Sequence, residues 1–359
     1  MPRLVNGDYS NVPAERGDTI NVWIPSAATV YDVAPSAAPF QADDSSPVKA
    51  PVQLTQWRHS GFYMNDKQIG DVVAGFKPKQ MDACIAALAN DVNAYLFGLY
   101  KSAYGFVGTP GTTPFGVDVT GATLARAQLN RQLASAMDRR LVLDVNAEGN
   151  ALALPAFSYA LNVGTDKAII DGTIGRRYGF DVAMDQQIPT HTSTPLSGGA
   201  ATVNGAQTIN QGTLDGGRTG TVSIAKATAT SPLVKGDILT FAGDAQTYVV
   251  TAAVVLAVGN TTVAIAPALQ SAKTGVEVVS LKASHVVNLA FHRDAISFAS
   301  RPLQSTQANS QEMYSISDPI SGIALRLEVV RQNKQLLFDF DILFGASMVR
   351  PELACRLAG

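Results

Sequence analysis

The residues of this chain with the chemistry to act as ligands or acid–base groups are few and scattered. Four histidines, His59, His191, His285 and His292, stand far apart, and none has a second His or Cys at metal-ligand spacing. Two cysteines, Cys84 and Cys355, are too few for a thiolate cluster or a disulfide framework. His292-Arg293-Asp294 matches three letters of a kinase catalytic loop. No glycine loop precedes it and no Asp-Phe-Gly follows, so it reads as a strand-edge or turn segment. A lysine-bearing phosphate loop and a nucleophile elbow are both absent from the sequence.

One carboxylate pair, Asp339 and Asp341, has the two-residue spacing that puts both acids on one face of a strand. Such a pair can hold a metal or share acid–base work. With no histidine or second acid cluster tied to it, the pair reads as an exposed strand face, with Arg326 opposite Asp341 as a cross-strand ion pair. Asp43-Asp44 reads either as a solvated loop tip or as a docking handle for a basic partner. The sequence therefore predicts no catalytic site, no metal and no cofactor.

The elements that would carry these residues follow from periodicity. Asp18–Pro25 and Pro51–Met64 alternate β-branched and aromatic residues and predict strands. Between them lies an Ala-, Ser- and Pro-rich connection far longer than a hairpin loop, with too few large apolar residues to fold on itself. Asp66 is a predicted N-cap for a short helix through Val73. A longer helix is predicted from Pro78 to Tyr104, about 40 Å at 1.5 Å per residue, burying Met81, Ile85, Leu88, Val92, Leu96 and Leu99. Thr120 is the predicted cap of a helix through Met137, with Leu124, Leu129, Leu133 and Met137 as core. "RRLVLDV" then predicts a strand, "AEGNALALPAF" a short helical segment, and Phe180 to Met184 a strand.

From residue 192 the composition shifts to Ala, Thr, Val and Gly, and helical periodicity disappears until about residue 283. Short strands punctuated by Gly-Asp, Gly-Asn and Pro predict a small β-barrel or sandwich inserted into a host domain. Its ends, Thr192 and Ser284, should lie close together. Near the C-terminus, Ile323 to Val329 and Leu336 to Phe344 alternate as two strands of a hairpin. A tight turn at Asn333-Lys334 would set Asp341 across from Arg326.

Bulk properties exclude several function classes. The 359 residues are 46% hydrophobic and 16% charged, with a net charge of -2, so no basic footprint exists for gripping nucleic acid through its phosphates. "MPRLVNGDYS" lacks a signal-peptide pattern, and the longest apolar run, Val249 to Val258, is far short of the roughly 20 residues of a membrane helix. The expectation is a protein made in a reducing cytoplasm and not inserted in a membrane.

Six stretches, in order, resemble the major capsid (coat) protein of tailed bacteriophages, in the branch with an inserted β-domain. They are "GDTINVWIP" with "VQLTQWRHSGFYMND", "AALANDVNAYLFGLY", "LNRQLASAMDRRLVLDV", "IDGTIGRRYGFDVAMDQQIPTHT", "HVVNLAFHRDAISFASRPL", and "DPISGIALRLEVVRQ" with "FDILFGASMVRPELACRLAG". The resemblance implies an α+β capsid-shell fold of the Hong Kong 97 and herpesvirus type. Its parts would be an N-terminal arm (1–17), an extended hairpin loop (18–64), a spine helix and peripheral domain (65–108), and an axial domain (109–191). An inserted small β-barrel (192–283), an axial return (284–308) and peripheral strands with the tail (309–359) would complete it.

The same resemblance implies self-assembly as hexamers and pentamers into an icosahedral shell enclosing double-stranded DNA. Assembly would take place in a bacterial host's cytoplasm, with a scaffolding protein, a portal protein and room for a cement protein as partners. The candidate inter-subunit contacts are Asp43, Asp44, Trp57, Arg58, Asp215, Arg218 and Arg350. Lys–Asn cross-linking is not carried over, since no matched pair is present. An encapsulin-type nanocompartment shell and a β-rich surface or adhesin protein are the alternatives.

Overall fold

The structure, a computed structural model, describes residues 1–7, 19–24, 30–32, 47–71, 76–159, 170–197, 199–209, 218–301, 312–317 and 323–359. In chain order the first elements are β1 (Thr19–Ile24), β2 (Val48–Gln53), β3 (Gln56–Asn65), α1 (Asp66–Asp71), α2 (Phe76–Gly98) and β4 (Gly105–Val107). Next come α3 (Thr120–Arg131), β5 (Arg139–Leu143), α4 (Val145–Ala153), α5 (Pro155–Ser158), β6 (Arg176–Arg177), β7 (Phe180–Met184) and β8 (Thr190–His191). Eight strands follow: β9 (Ala201–Val203), β10 (Gly220–Lys226), β11 (Ser231–Leu233), β12 (Ile238–Phe241), β13 (Thr247–Val250), β14 (Val254–Leu256), β15 (Gly259–Ala266) and β16 (Val278–Leu281). The last are β17 (His285–His292), β18 (Ile296–Arg301), β19 (Glu312–Ser317), β20 (Ala324–Gln332), β21 (Gln335–Met348) and β22 (Ala354–Ala358). Among the described residues no helix is long and apolar enough to cross a membrane.

Three larger sheets organise the described elements, beside the two-stranded pairs β1–β2 and β11–β14. One runs β18-β21-β20-β19, with β3 on the other edge of β21; a second runs β4-β22-β17-β5-β7-β6, with β8 added beside β17. The third is a closed barrel, β10-β15-β13-β12-β16-β9, every neighbouring pair antiparallel. The barrel encloses its own core, including Val222, Ile224, Leu239, Phe241, Tyr248 and Ile265. A larger core joins the two open sheets to α2, α3 and α4.

The C-terminal hairpin matches the alternation of its sequence. Asn333 and Lys334 both take positive φ (45° and 61°), which gives the tight turn, and Arg326 stands opposite Asp341. Phe340, Ile342 and Phe344 turn into the large core, where Tyr95 of α2 meets the Phe344 ring edge-on at 5.4 Å. Each such buried Leu, Ile or Phe contributes about 1.5–3 kcal/mol. The second face of the same strand is covered as well. Leu343 packs with Ile20, Val22, Ile24, Val52 and Leu54 of the β1–β2 hairpin, which lies across it.

Several sequence-based expectations are corrected. Pro51–Met64 is not one strand: it breaks at Leu54-Thr55, so that β2 pairs with β1 while β3 joins β21. The connection between β1 and β2 lies mostly outside the described residues. Residues 1–7 are not a free arm. Val5 is buried, Met1 and Leu4 pack on the large core, and Asn6 bridges to Ser297; the remainder of the predicted arm, 8–17, lies outside the described residues.

The cap of α1 is Asn65 rather than Asp66. Its side chain accepts the Gln68 N–H at 2.7 Å, and Gln68 Oε1 accepts the Asn65 N–H at 3.1 Å, a reciprocal capping box. Val73 lies outside the described residues. The long helix α2 stops at Gly98 and tightens into a 3-10 turn over Leu99–Ser102, so it spans about 34 Å. Its buried residues include Cys84, Leu88, Val92 and Leu96, whereas Ile85 is exposed.

The second helix, α3, ends at Arg131, six residues before Met137. The Ala134 N–H returns to the Leu129 carbonyl and the Leu133 N–H to that of Asn130, with Leu133 at φ 58°. This is a Schellman stop whose left-handed residue is usually glycine. Its buried face is Ala122, Ala125 and Leu129; Leu124, Leu133 and Met137 are exposed. Nor does Thr120 cap it: Thr120 is the first helical residue, the N-cap position falls on Val119, and Asp118 Oδ1 accepts the Thr120 N–H at 2.8 Å.

The β1–β2 hairpin approaches β21 so closely that only a glycine fits beneath it. A Cβ on Gly345 would collide with the Gln53 carbonyl and lie 3.0 Å from Leu54 Cα, both backbone atoms. Gly345→Ala should therefore cost about 1–3 kcal/mol, read from the urea midpoint. An unchanged midpoint would mean that the hairpin is free to lift from the sheet.

Candidate inter-subunit interface

The outward face of β3, β21 and β20 carries the acids singled out by sequence. Asp341 is not exposed: only 6% of its surface is open. Arg326 grips it with Nε to Oδ1 at 3.0 Å and Nη2 to Oδ2 at 2.5 Å, and the Trp57 Nε1–H donates to Oδ2 at 3.1 Å. The bidentate carboxylate holds the Arg326 pKa above its ordinary value. Asp339 instead meets His59 Nδ1 at 3.1 Å. Gly61 permits this, since a Cβ there would come within 2.7 Å of Asp339 Oδ1. The two carboxylates thus serve separate partners, and the pair is a structural one.

The sequence-predicted contacts fall into three groups. Asp43, Asp44 and Asp215 lie outside the described residues. Trp57 spends its indole N–H on Asp341 but leaves 65% of its surface open, while Arg58 reaches Asp91 of α2 at 3.5 Å with both side chains about half exposed. Arg218 and Arg350 are engaged within the subunit. Arg218 Nη1 donates to the Val349 carbonyl at 2.9 Å, and both guanidiniums share Glu352, at 3.5 and 3.0 Å. That arrangement ties the chain entering β10 to the turn before β22.

His191 and His285, isolated in sequence, come together at the neck between barrel and sheet. They face each other across the β8–β17 pair, ring centroids 5.4 Å apart. The Tyr100 hydroxyl lies 2.9 Å from His191 Nδ1, and His191 Nε2 lies 2.9 Å from Asp237 Oδ1. Since the carboxylate only accepts, Nε2 carries a hydrogen toward Asp237. Asp237 Oδ2 accepts the Val234 N–H at 2.8 Å. Arg356, fully buried on β22, reaches both bodies: Nε donates to the Ala103 carbonyl at 3.0 Å and Nη1 to that of Gly236 at 2.7 Å. Burial pushes its pKa down to about 10.

The order tyrosine, histidine, aspartate is that of a proton relay. Here every member is buried, and the three side chains link the turn after α2, β8 and the barrel as a strut. Apolar packing closes the same neck, Phe106 and Ala358 of the sheet meeting Ile238, Val249 and Ala266 of the barrel. The one hint in the sequence was position: His191 and His285 flank the compositional break. His292-Arg293-Asp294 is the turn from β17 to β18, where Asp294 accepts the Asn6 amide at 2.9 Å. Among the described residues no three His, Cys, Asp or Glu side chains gather as metal ligands.

His285 gives the neck a pH dependence. Its Nδ1–H donates to the Ala283 carbonyl at 2.8 Å, and burial, then Arg356 and His191 nearby, depresses its pKa from 6.5 to about 4. Below pH 6.5 the unfolded chain takes up a proton that the folded chain refuses, so stability falls as pH drops toward 4. The gap, at 1.36 kcal/mol per pH unit, amounts to about 3 kcal/mol. Unfolding free energy should decline more steeply between pH 6.5 and 4 in the native sequence than in His285→Gln. Equal slopes would rule out a neutral buried imidazole.

No protein-family model matches the chain, and no curated protein matches its sequence. Solved structures match it over nearly its full length. One, from Mycobacterium phage Che8, has 13% identity and a TM-score of 0.51, covering 98% of this chain and 88% of that one. Another is the capsid structure of the cyanophage P-SCSP1u, with 10% identity and a TM-score of 0.50, covering 96% and 84%. At such identities the likeness is one of fold, and it spans nearly the whole chain rather than a shared fragment. The chain shares its fold with a chain from Mycobacterium phage Che8 and with one from a cyanophage capsid structure.

Proposed function

We propose that this chain is a major capsid protein, whose copies assemble as hexamers and pentamers into an icosahedral shell around double-stranded DNA. The observation that carries this reading is the near-full-length likeness in fold to a cyanophage capsid structure. The near-neutral charge agrees with a container that encloses DNA without gripping it. A scaffolding protein and a portal protein are the proposed partners, with room for a cement protein, and the host cytoplasm is the proposed place of assembly.

Within this reading α2 is the spine helix, the sheet centred on β17 and β22 is the axial domain, and 192–283 is the inserted barrel. The β1–β2 hairpin and the residues between its strands form the extended loop. Trp57 and Arg58 are the better placed of the proposed contacts, because Arg218 and Arg350 already hold their own subunit together. Asp43, Asp44 and Asp215 are retained as proposed contacts.

Expressed alone and with its scaffold, the protein should sediment as megadalton shells or open sheets, visible by negative stain. A monomer under both conditions would end the shell reading, and particles filled with an enzyme would favour a nanocompartment. Residues 193–283, excised, should unfold cooperatively on their own. The support is the barrel's separate core and the closeness of its ends, where Ser284 Oγ accepts the Ser193 N–H at 3.0 Å and donates to the Ser193 carbonyl at 3.2 Å. Non-cooperative melting of the excised piece would count against an autonomous module.

A further inference from the structure

Two buried polar atoms of the neck have no partner among the described residues: Nε2 of His285 and Nη2 of Arg356. Both side chains are closed off from solvent. Orphans of this kind are uncommon inside a folded chain, and each one costs stability. His285 gives its Nδ1–H to the Ala283 carbonyl, so Nε2 is a bare acceptor. A proton added there would create an N–H with no acceptor in reach.

The surroundings of the ring oppose that proton as well. It is wedged between Phe106, near-perpendicular at 5.1 Å, and His191 at 5.4 Å. Charged groups face it from every element packed on the neck. Arg356 comes from β22 and Asp237 from the turn before β12. Lys282, on the link into β17, holds its Nζ 5.7 Å from the Phe106 ring centre. In the turn after α2, Tyr100 bonds to His191, and Lys101 packs its stem so close to Gly236 that a Cβ there would lie 3.0 Å from Lys101 Cγ. Asp237 is thus the one carboxylate beside three cations among the described residues, and its oxygens already serve His191 and the Val234 N–H. His191 differs, since its nitrogens face Asp237 and the Tyr100 hydroxyl, both able to accept.

The junction is slight beside the bodies it joins. Barrel and host close separate cores, and the seal between them is Phe106, Ala358, Ile238, Val249 and Ala266. Its other ties are Thr247 Oγ1 to the Tyr104 carbonyl at 2.6 Å, and Arg218 to the Val349 carbonyl at 2.9 Å and to Glu352 at 3.5 Å. Ser193 and Ser284 staple the two tethers together, which leaves a pivot. We infer that His285 is an acid-operated latch: when it takes a proton, the neck parts and the barrel tilts on its tethers while both bodies stay folded. The parted neck accepts the proton that the closed neck refuses, so acid favours parting. The latch is a property of the single subunit and stands apart from the shell reading.

The test places a thiol in the seal with Ala358→Cys and follows its reaction with dithiodipyridine, a disulfide that still reacts in acid. Rates are taken relative to a small thiol at each pH. His285 sits at about 4 in the closed neck against an ordinary 6.5, so relative labelling should rise about twentyfold from pH 7 to pH 5. Cys84 and Cys355, buried in the host core, should stay unlabelled, and amides of the β10–β15 ladder should keep their protection. Adding His285→Gln should abolish the rise. The readout is a ratio between two pH values, so it holds even if glutamine loosens the neck at both. Ala266→Cys, on the barrel side of the seal, replaces Ala358→Cys if that variant does not fold. A rise that persists with His285→Gln, no rise with the native histidine, or labelling of the core cysteines in step with the reporter overturns the latch.

Discussion

Strand β21 is hydrogen-bonded to β3 along one edge and to β20 and then β18 along the other, so three segments distant in sequence take their register from it. Because side chains alternate strictly, a slip of one residue would put Asp339 and Asp341 into the core and Phe340 into solvent. Several features guard against that slip. Arg326 and Trp57 both require Asp341 on the outside, Gly61 leaves space only opposite Asp339, and Gly345 must lie under the Gln53 carbonyl. The polar face thus specifies the register, and the apolar face supplies most of the stabilisation.

Much of this hairpin was legible because its information is local. Alternation and a two-residue turn predict the partner of every residue, and Arg326 does face Asp341. The barrel's strands were legible for the same reason, their Gly and Pro punctuation being frequent. Helix ends were less so. The stop of α3 uses Leu133 where sequence reading looks for glycine, and the continuing apolar spacing to Met137 imitates more helix. The break at Leu54-Thr55 was invisible because alternation runs through it and the change of partner is set by tertiary contacts. The neck was least legible of all: Tyr100, His191, Asp237, His285 and Arg356 come from five separate stretches, and each alone reads as an ordinary core or surface residue.

Burying an arginine and an aspartate at the neck is costly unless both are well satisfied. Carbonyls of Ala103 and Gly236 serve Nε and Nη1 of Arg356, but Nη2 has no partner among the described residues, so the arginine is only partly satisfied. Asp237 accepts from His191 and Val234. Such a network gains little over an apolar plug in free energy, but its directional bonds admit one orientation of the barrel on the sheet. Arg218, through Glu352 and the Val349 carbonyl, adds a second tie at the barrel's rim, so rotation about the neck is opposed at two points.

That neck also decides where mechanical load goes. Arg356 holds the Gly236 carbonyl of the barrel from the middle of β22, a strand bonded to β17 on one side and to β4 on the other. A tug on the barrel is therefore delivered to a strand anchored along both edges, which yields only when two rows of hydrogen bonds break together. The barrel is thus joined to the sheet through a strand with neighbours on both sides, and a twist applied there is passed to two strands at once.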